Sequence, residues 1–158
     1  MRLRLRREDL LDALAARIGR ADAVTAHLMS DVTAQACIRF AMPDHAHDAI
    51  RIRHFIRDGA WADAVLALIE LELPRWSVRS IIREGAEWIC VLSNAWPVAD
   101  WLDDNVEGRN EELPLAMLAA FVEALRFNLS CKDATSGEGP NAGLAQQQRA
   151  VCCDNFGR

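Results

Sequence analysis

The stretch from Trp76 to Ser93, WSVRSIIREGAEWICVLS, constrains the fold of this chain most, because two secondary structures compete for it. Its apolar residues lie on one side of a helix and also alternate over two runs of strand length. Gly85 would cost a helix about 1 kcal/mol relative to alanine, whereas a short glycine-bearing loop suits a hairpin. Valine, isoleucine and tryptophan also fit a pleated surface. We therefore predict a β-hairpin over about 76–83 and 87–93, with one continuous helix as the alternative.

An isolated hairpin is marginal in water and needs a covering element. The segment EELPLAMLAAFVEALRF carries a wide apolar stripe, and Pro114 suits the first turn of a helix, so we predict a C-terminal helix over 113–127. Before the hairpin, apolar periodicity and glycine or proline stops predict four helices, over 8–19, 21–42, 44–58 (with Asp44 as a possible N-cap) and 60–73. The fold class expected is α+β, with N-terminal helices packed on a small antiparallel hairpin that a C-terminal helix follows.

The segments EGAEWICVLS and EELPLAMLAAFVEAL also carry a family resemblance. Over 75–127 the chain resembles small uncharacterised proteins of rhizobial and related bacteria. The resemblance implies a bacterial protein with a hairpin followed by a helix, and it implies no activity.

Residues 130–158 differ in composition from the rest of the chain. Glycine, serine, asparagine and glutamine dominate, and Leu144, Val151 and Phe156 are the only large apolar side chains. Such a segment buries too little surface to offset the entropy of ordering it. We predict one globular domain over 1–129 and a flexible polar tail over 130–158.

Charge and cysteine usage limit the function classes. The net charge is −5, although residues 1–7 carry four arginines and no acid. An acidic body disfavours general nucleic-acid binding, which depends on basic surface. Five cysteines without regular spacing indicate reduced thiols, and no export signal or membrane span is expected. These features predict a cytoplasmic protein that does not bind membranes.

The segment PDHAHDAIRIRH suggests a metal site, because it carries Asp44, His45, His47, Asp48 and His54. Side chains on a helix can share one ion when they are three or four residues apart. The histidines are two, seven or nine residues apart, so they do not converge. We predict no metal site here.

The segment DWLDDNVEGRNEELP invites comparison with a calcium loop that starts at Asp103 and has Asn105, Glu107 and Gly108 at its third, fifth and sixth positions. The twelfth position, which should be a bidentate glutamate, is Pro114. A solvated acidic linker before the last helix is favoured. The chain also lacks the glycine-rich, nucleophile-elbow and CxxC motifs of nucleotide, hydrolase and redox sites, so no cofactor is predicted.

Two surfaces are candidates for binding a partner. The first combines tryptophans of an expected loop with clustered acids: Trp96, Trp101, Asp100, Asp103 and Asp104. The second is an arginine face on the hairpin, with Arg79 and Arg83 on its outer side. The favoured hypothesis is a non-enzymatic protein-interaction or regulatory module that binds another protein. The alternatives are a nucleic-acid-binding protein that uses the arginine hairpin and the N-terminal MRLRLRR arm, and a small-ligand binder or enzyme with a pocket between sheet and helices.

Overall fold

The computed structural model describes residues 6–94 and 104–135, and within them the chain has the predicted α+β fold. Helices come first, a three-stranded antiparallel sheet in the order β1-β2-β3 follows, and a long helix ends the described part. The elements are α1 (Arg7–Arg20), α2 (Ala26–Gln35), α3 (Ala46–Arg57), α4 (Trp61–Glu72), β1 (Trp76–Glu84), β2 (Glu87–Asn94), β3 (Asn105–Asn110) and α5 (Leu113–Thr135), with 3₁₀ turns at Arg39–Ala41 and Pro43–His45.

The helix predicted over 21–42 is shorter in the structure. Thr25 caps the start of α2 with its side-chain oxygen. Beyond the end of α2, the Glu72 carboxylate accepts the amide hydrogens of Ile38 (3.0 Å) and Phe40 (2.7 Å). A continued helix would pair those amides with its own carbonyl oxygens. The Glu72 carboxylate, which comes from a distant part of the sequence, therefore supplies the hydrogen bonds that further helical turns would supply.

Asp44 is not the N-cap that the sequence suggests. It lies inside a 3₁₀ turn, and α3 begins at Ala46 without a side-chain cap. Gly59 follows α3 with a left-handed backbone (φ 72°), which agrees with the predicted break. The next helix, α4, is buried over most of its circumference, as its nearly continuous apolar pattern predicts, while Asp63 and Glu70 are exposed on the remaining side.

The stretch from Trp76 to Ser93 forms the predicted hairpin and not a continuous helix. β1 and β2 pair antiparallel, and the pairing runs down to Glu84 opposite Glu87. Gly85 has a left-handed backbone (φ 60°) in the turn between them. The two strands extend slightly beyond the predicted limits, to Glu84 and Asn94.

A β-bulge interrupts the pairing of β1 with β2. Val78 lies opposite Leu92, but Ser80 lies opposite Val91, which makes Arg79 the extra residue. An extra residue shifts the alternation of side chains between the two halves of the strand. Before the bulge, one alternate set of β1 positions faces the helices, and after the bulge the other set does.

The third strand, β3, corrects the prediction of an acidic linker over 100–112. Residues Asn105–Asn110 pair with β2, with Gly108 opposite Cys90. The main chain at Gly108 lies against the α5 main chain near Ala120, where even a Cβ atom would overlap. Because main-chain contact replaces side-chain packing here, the strand lacks the alternating large apolar residues that identify strands in a sequence.

The last helix, α5, begins as predicted but continues through Thr135, beyond the predicted end at 127. Residues 130–135, placed in the predicted tail, are therefore helical, and 136–158 lie outside the described residues. By length and composition alone, 113–131 is apolar enough to cross a membrane, yet half of that stretch is buried within the fold. Leu118 and Phe121 are fully buried, so α5 is the helix around which the core forms.

Candidate functional site

Most of the predicted tryptophan and acidic surface lies outside the described residues. This holds for Trp96, Asp100, Trp101 and Asp103. Asp104 is described and exposed, and its carbonyl oxygen accepts the amide hydrogen of Asn94 at 3.0 Å. The protein-interaction hypothesis therefore stays a prediction.

The predicted arginine face of the hairpin does not form, because the bulge separates its two members. Arg83 lies opposite Trp88, and its guanidinium is 5.6 Å from the centre of the Trp88 ring. Arg79 reaches instead towards Asn105 of β3, with 3.5 Å between Nη1 and Oδ1. Asn105 is paired with Ser93, whereas Trp88 is on the alternate set of positions in β2. The two arginines thus lie on opposite faces of the sheet.

Two of the residues considered for metal binding form a close pair in the structure. His45 Nδ1 lies 4.0 Å from Asp48 Oδ2, and within 6–94 and 104–131 no three histidine, cysteine or acidic side chains could hold one ion. The positions of the calcium comparison, Asn105, Glu107 and Gly108, belong to β3 and not to a loop. Glu107 pairs with the neighbouring Arg109.

A cavity of about 840 Å³ lies where the sheet meets the helices, in the region where the small-ligand alternative expects a pocket, although the sequence does not indicate which residues line it. Its wall combines residues from the start of α1, the 3₁₀ turns, the end of α4, the outer ends of β1 and β2, and the C-terminal part of α5. Among the described residues, those that line the cavity are Arg7, Ile38, Arg39, Met42, His45, Glu72, Leu73, Pro74, Arg75, Trp76, Asn94, Asp104, Leu125, Phe127, Asn128, Leu129 and Cys131. The volume falls within the ~300–1,000 Å³ typical of small-molecule sites.

Trp76 is the most firmly held part of this wall. It is buried, and its indole N–H donates to Asn128 Oδ1 of α5 at 3.1 Å. The Phe127 ring meets it edge-to-face with 5.6 Å between ring centres. These contacts join β1 to α5 and fix one aromatic wall of the cavity.

Two polar residues of the wall have a buried atom without a hydrogen-bond partner. Within the described part of the chain, these atoms are Arg7 Nε and Asn94 Oδ1. Arg7 is positioned by its Nη2 group, which donates to the carbonyl oxygen of Ala36 at 3.0 Å. Both atoms are shielded from solvent, and the residues that carry them contribute other atoms to the cavity wall.

The charges around the cavity are of both signs. Arg7, Arg39 and Arg75 contribute positive charge, and Glu72 and Asp104 contribute negative charge. Both oxygens of Glu72 already accept main-chain amides, so this carboxylate has a structural role. The other described lining residues are the Trp76 indole, two asparagines, His45, Cys131 and apolar side chains.

The sequence indicates only some of the residues of this site. Asn94 continues the alternation of Cys90 and Leu92, both fully buried, so a polar residue follows on the buried side of the strand. Arg7 belongs to the basic start of the chain, which reads as a solvated arm. No spacing in the sequence indicates that residues 7 and 94 line one cavity.

Comparison with known proteins finds no match to this chain among family models, curated proteins or solved structures.

Proposed function

We propose that this protein binds a small molecule in the cavity between the sheet and the helices. The observation that carries the proposal is the cavity of about 840 Å³ itself, whose described wall places the polar side chains of Arg7 and Asn94 beside the buried Trp76. Small-molecule sites of this volume orient their ligands through a few such polar groups. A ligand would bond to the parts of these two side chains that face the cavity, and not to Arg7 Nε and Asn94 Oδ1, which are shielded from solvent.

The rest of the wall suits the same role. Small-molecule sites combine apolar and aromatic side chains with a few well-placed polar groups. Leu73 and Leu125 are buried, and Trp76 is held rigidly by α5. Ile38 and Met42 are 48% and 44% exposed at the cavity, so apolar surface is also present where a ligand would enter.

The experiment is a thermal-shift screen of a metabolite library against the full chain. A compound that prefers the folded state raises the melting temperature in proportion to the logarithm of its concentration. Each hit is then measured against Asn94→Leu, which removes a polar side chain from the cavity wall. Asn105→Leu is the matched control, because it makes the same substitution at an exposed position on the opposite face of the sheet.

We expect hits to stabilise the wild type and Asn105→Leu, and to lose most of their effect on Asn94→Leu. Without ligand, Asn94→Leu should itself be more stable than the wild type by about 1–3 kcal/mol, because an unpaired buried acceptor is removed. Hits that stabilise Asn94→Leu as strongly as the wild type would place binding elsewhere. A library without hits would count against ligand binding.

A further inference from the structure

We infer that β1 pairs with β1 of a second copy of this chain, antiparallel about a two-fold axis at Ile82, to form a weak homodimer. This surface is separate from the cavity and does not depend on the proposed function. Trp76, which lines the cavity, lies about 20 Å from Ile82 along the strand. The inference rests on the free edge of β1, on its exposed isoleucines and on the register that its charges permit.

β1 is an edge strand whose second half extends beyond the helices. The strand order is β1-β2-β3, so within the part of the chain that the structure describes β1 pairs with β2 alone. The last helix, α5, packs on β3 and β2, farther from this edge. Successive side chains of a strand point to opposite faces, yet Ile81, Ile82, Arg83 and Glu84 are all exposed. Both faces of β1 are therefore open beside its free edge.

An apolar row on the face of the sheet away from α5 ends at this edge. Ile82 lies opposite Ile89 of β2, which in turn lies opposite Arg109 of β3. Ile89 is only 2% exposed, whereas Ile82 is 46% exposed. On the other face Ile81, opposite the buried Cys90, is 37% exposed. A second β1 would cover both β1 isoleucines, and burial of apolar surface is the main driving force of association.

The main-chain groups at the edge suit an antiparallel partner. Glu84 and Glu87 flank a two-residue turn, and residues that flank such a turn exchange both of their hydrogen bonds. Because bonded and non-bonded pairs alternate along the hairpin, the amide and carbonyl groups of Ile81 and Arg83 point away from β2. An outward row of such groups is a template for another strand.

The charges and the bulge select one register for this pairing. Opposite side chains of an antiparallel pair share a face, so in a pair of identical strands one residue must lie opposite its own copy. With Ile82 in that position, the regular run 80–84 beyond the bulge pairs along its whole length. With Ile81 there, Arg79 would oppose Arg83, and with Arg83 there, two guanidinium groups would oppose each other. Like charges in opposite positions destabilise a strand pair, so the register about Ile82 is favoured.

The length of the run predicts a weak dimer. A standard interface takes roughly 20–30 residues from each side, far more than the run 80–84 supplies. The dimer should therefore form only at high protein concentration. Because this register covers the isoleucines and avoids like charges with the chain's own residues, a second copy is favoured over a strand of another protein.

Analytical ultracentrifugation of the full chain over micromolar to millimolar concentrations tests the dimer. The variant is Ile82→Lys, which places two ammonium groups opposite each other at the axis and changes a side chain that is already exposed. Ile50→Lys is the matched control, because Ile50 is 53% exposed on α3, which is not part of the sheet. Circular dichroism checks that both variants are folded.

We expect the wild type and Ile50→Lys to dimerise with equal affinity. Ile82→Lys should dimerise at least about tenfold more weakly, since an apolar contact is replaced by like charges in opposite positions. A dimer that Ile82→Lys leaves unchanged would overturn the inference. A wild type that stays monomeric throughout the range would also overturn it, whether the edge then binds a strand of another protein or none.

A cysteine at the axis tests the register and does not depend on the lysine variant. The Cα atoms of a non-bonded antiparallel pair are about 4.5 Å apart, within the range that a disulfide spans. Ile82→Cys should therefore link to its own copy under mild oxidation. Glu84→Cys should not, because the two copies of residue 84 lie about 13 Å apart along the strands. Peptide mass spectrometry without reduction identifies the linked residues, and linkage at residue 84 as strong as at residue 82 would overturn this register.

Discussion

Gly108 of β3 lies against the main chain of α5 at Ala120, so closely that a Cβ atom on residue 108 would overlap the Ala120 amide nitrogen. The same Cβ atom would also overlap the carbonyl oxygen of Ala116, one helical turn earlier. The backbone at residue 108 needs no left-handed conformation, and the requirement for glycine comes from proximity alone. This contact packs the sheet closely against α5, and the C-terminal part of the same helix forms one wall of the cavity.

Gly108→Ala should destabilise the protein by about 3 kcal/mol or more, because the added methyl group meets main-chain atoms that cannot rotate away. Urea unfolding followed by circular dichroism measures the change. The control is Gly19→Ala near the end of α1, where a Cβ meets open space, and it should be neutral or stabilising by up to about 1 kcal/mol. Equal stability of the two variants would contradict the close packing of β3 on α5.

Glu72→Ala should cost about 3 kcal/mol, because the main-chain amides of Ile38 and Phe40 both lose a charged acceptor. Glu70→Ala on the same helix removes an exposed ion pair with Arg51 and should cost less than about 1 kcal/mol. Glu72→Gln, which keeps one acceptor oxygen, should fall between them. Chemical denaturation ranks the three variants, and a Glu72→Ala effect no larger than that of Glu70→Ala would remove Glu72 from this role.

The free energy of unfolding should decrease as the pH falls below about 4, and part of this decrease should depend on Asp31. The hydrogen bond from Arg17 (2.5 Å) holds the pKa of Asp31 below its ordinary value of 3.8, and His27 Nδ1 lies at 2.9 Å from the same oxygen. Because folding lowers this pKa, the contribution to stability is complete above 3.8 and is lost as the pH falls through the lower folded value.

The measurement for Asp31 is urea unfolding at several pH values between 5 and 2, on the wild type and on Asp31→Asn. We expect Asp31→Asn to lose part of the acid dependence, and the same substitution at the exposed Asp58, which pairs with its neighbour Arg57, to retain it. A wild-type slope that survives in Asp31→Asn would show that the α1–α2 ion pair has no role in acid unfolding.

Alkylation should distinguish the cysteines by their burial. Burial raises the pKa of Cys90 to about 11 and raises that of Cys37 still further, so neither thiol forms much thiolate in the folded protein at pH 8. Cys131 is exposed near the end of α5. N-ethylmaleimide labelling read by peptide mass spectrometry should modify Cys131 before Cys37 and Cys90, and should modify those two buried thiols only at the rate of unfolding. Early labelling of Cys37 or Cys90 in native buffer would contradict their burial.

Local sequence determined a large part of this fold. Gly85 in a two-residue turn and Pro114 in the first turn of α5 act within a few residues of themselves, and both were placed correctly. The apolar pattern of α4 identified a buried helix for the same reason, since burial follows directly from the side chains that the segment carries. The predicted fold class, hairpin and C-terminal helix are therefore confirmed.

Contacts between distant segments decided the remaining features of the fold. The local sequence pattern does not show which distant residue bonds to a main-chain group or packs into a given space. α2 ends where it does because Glu72 bonds to amides that follow it, and β3 is a strand because α5 offers main chain on which Gly108 can pack. The bulge at Arg79 sends two arginines to opposite faces of the sheet. Only the tertiary structure brings Arg7 and Asn94 to one cavity, since burial without a partner exists only once the chain has folded around those atoms.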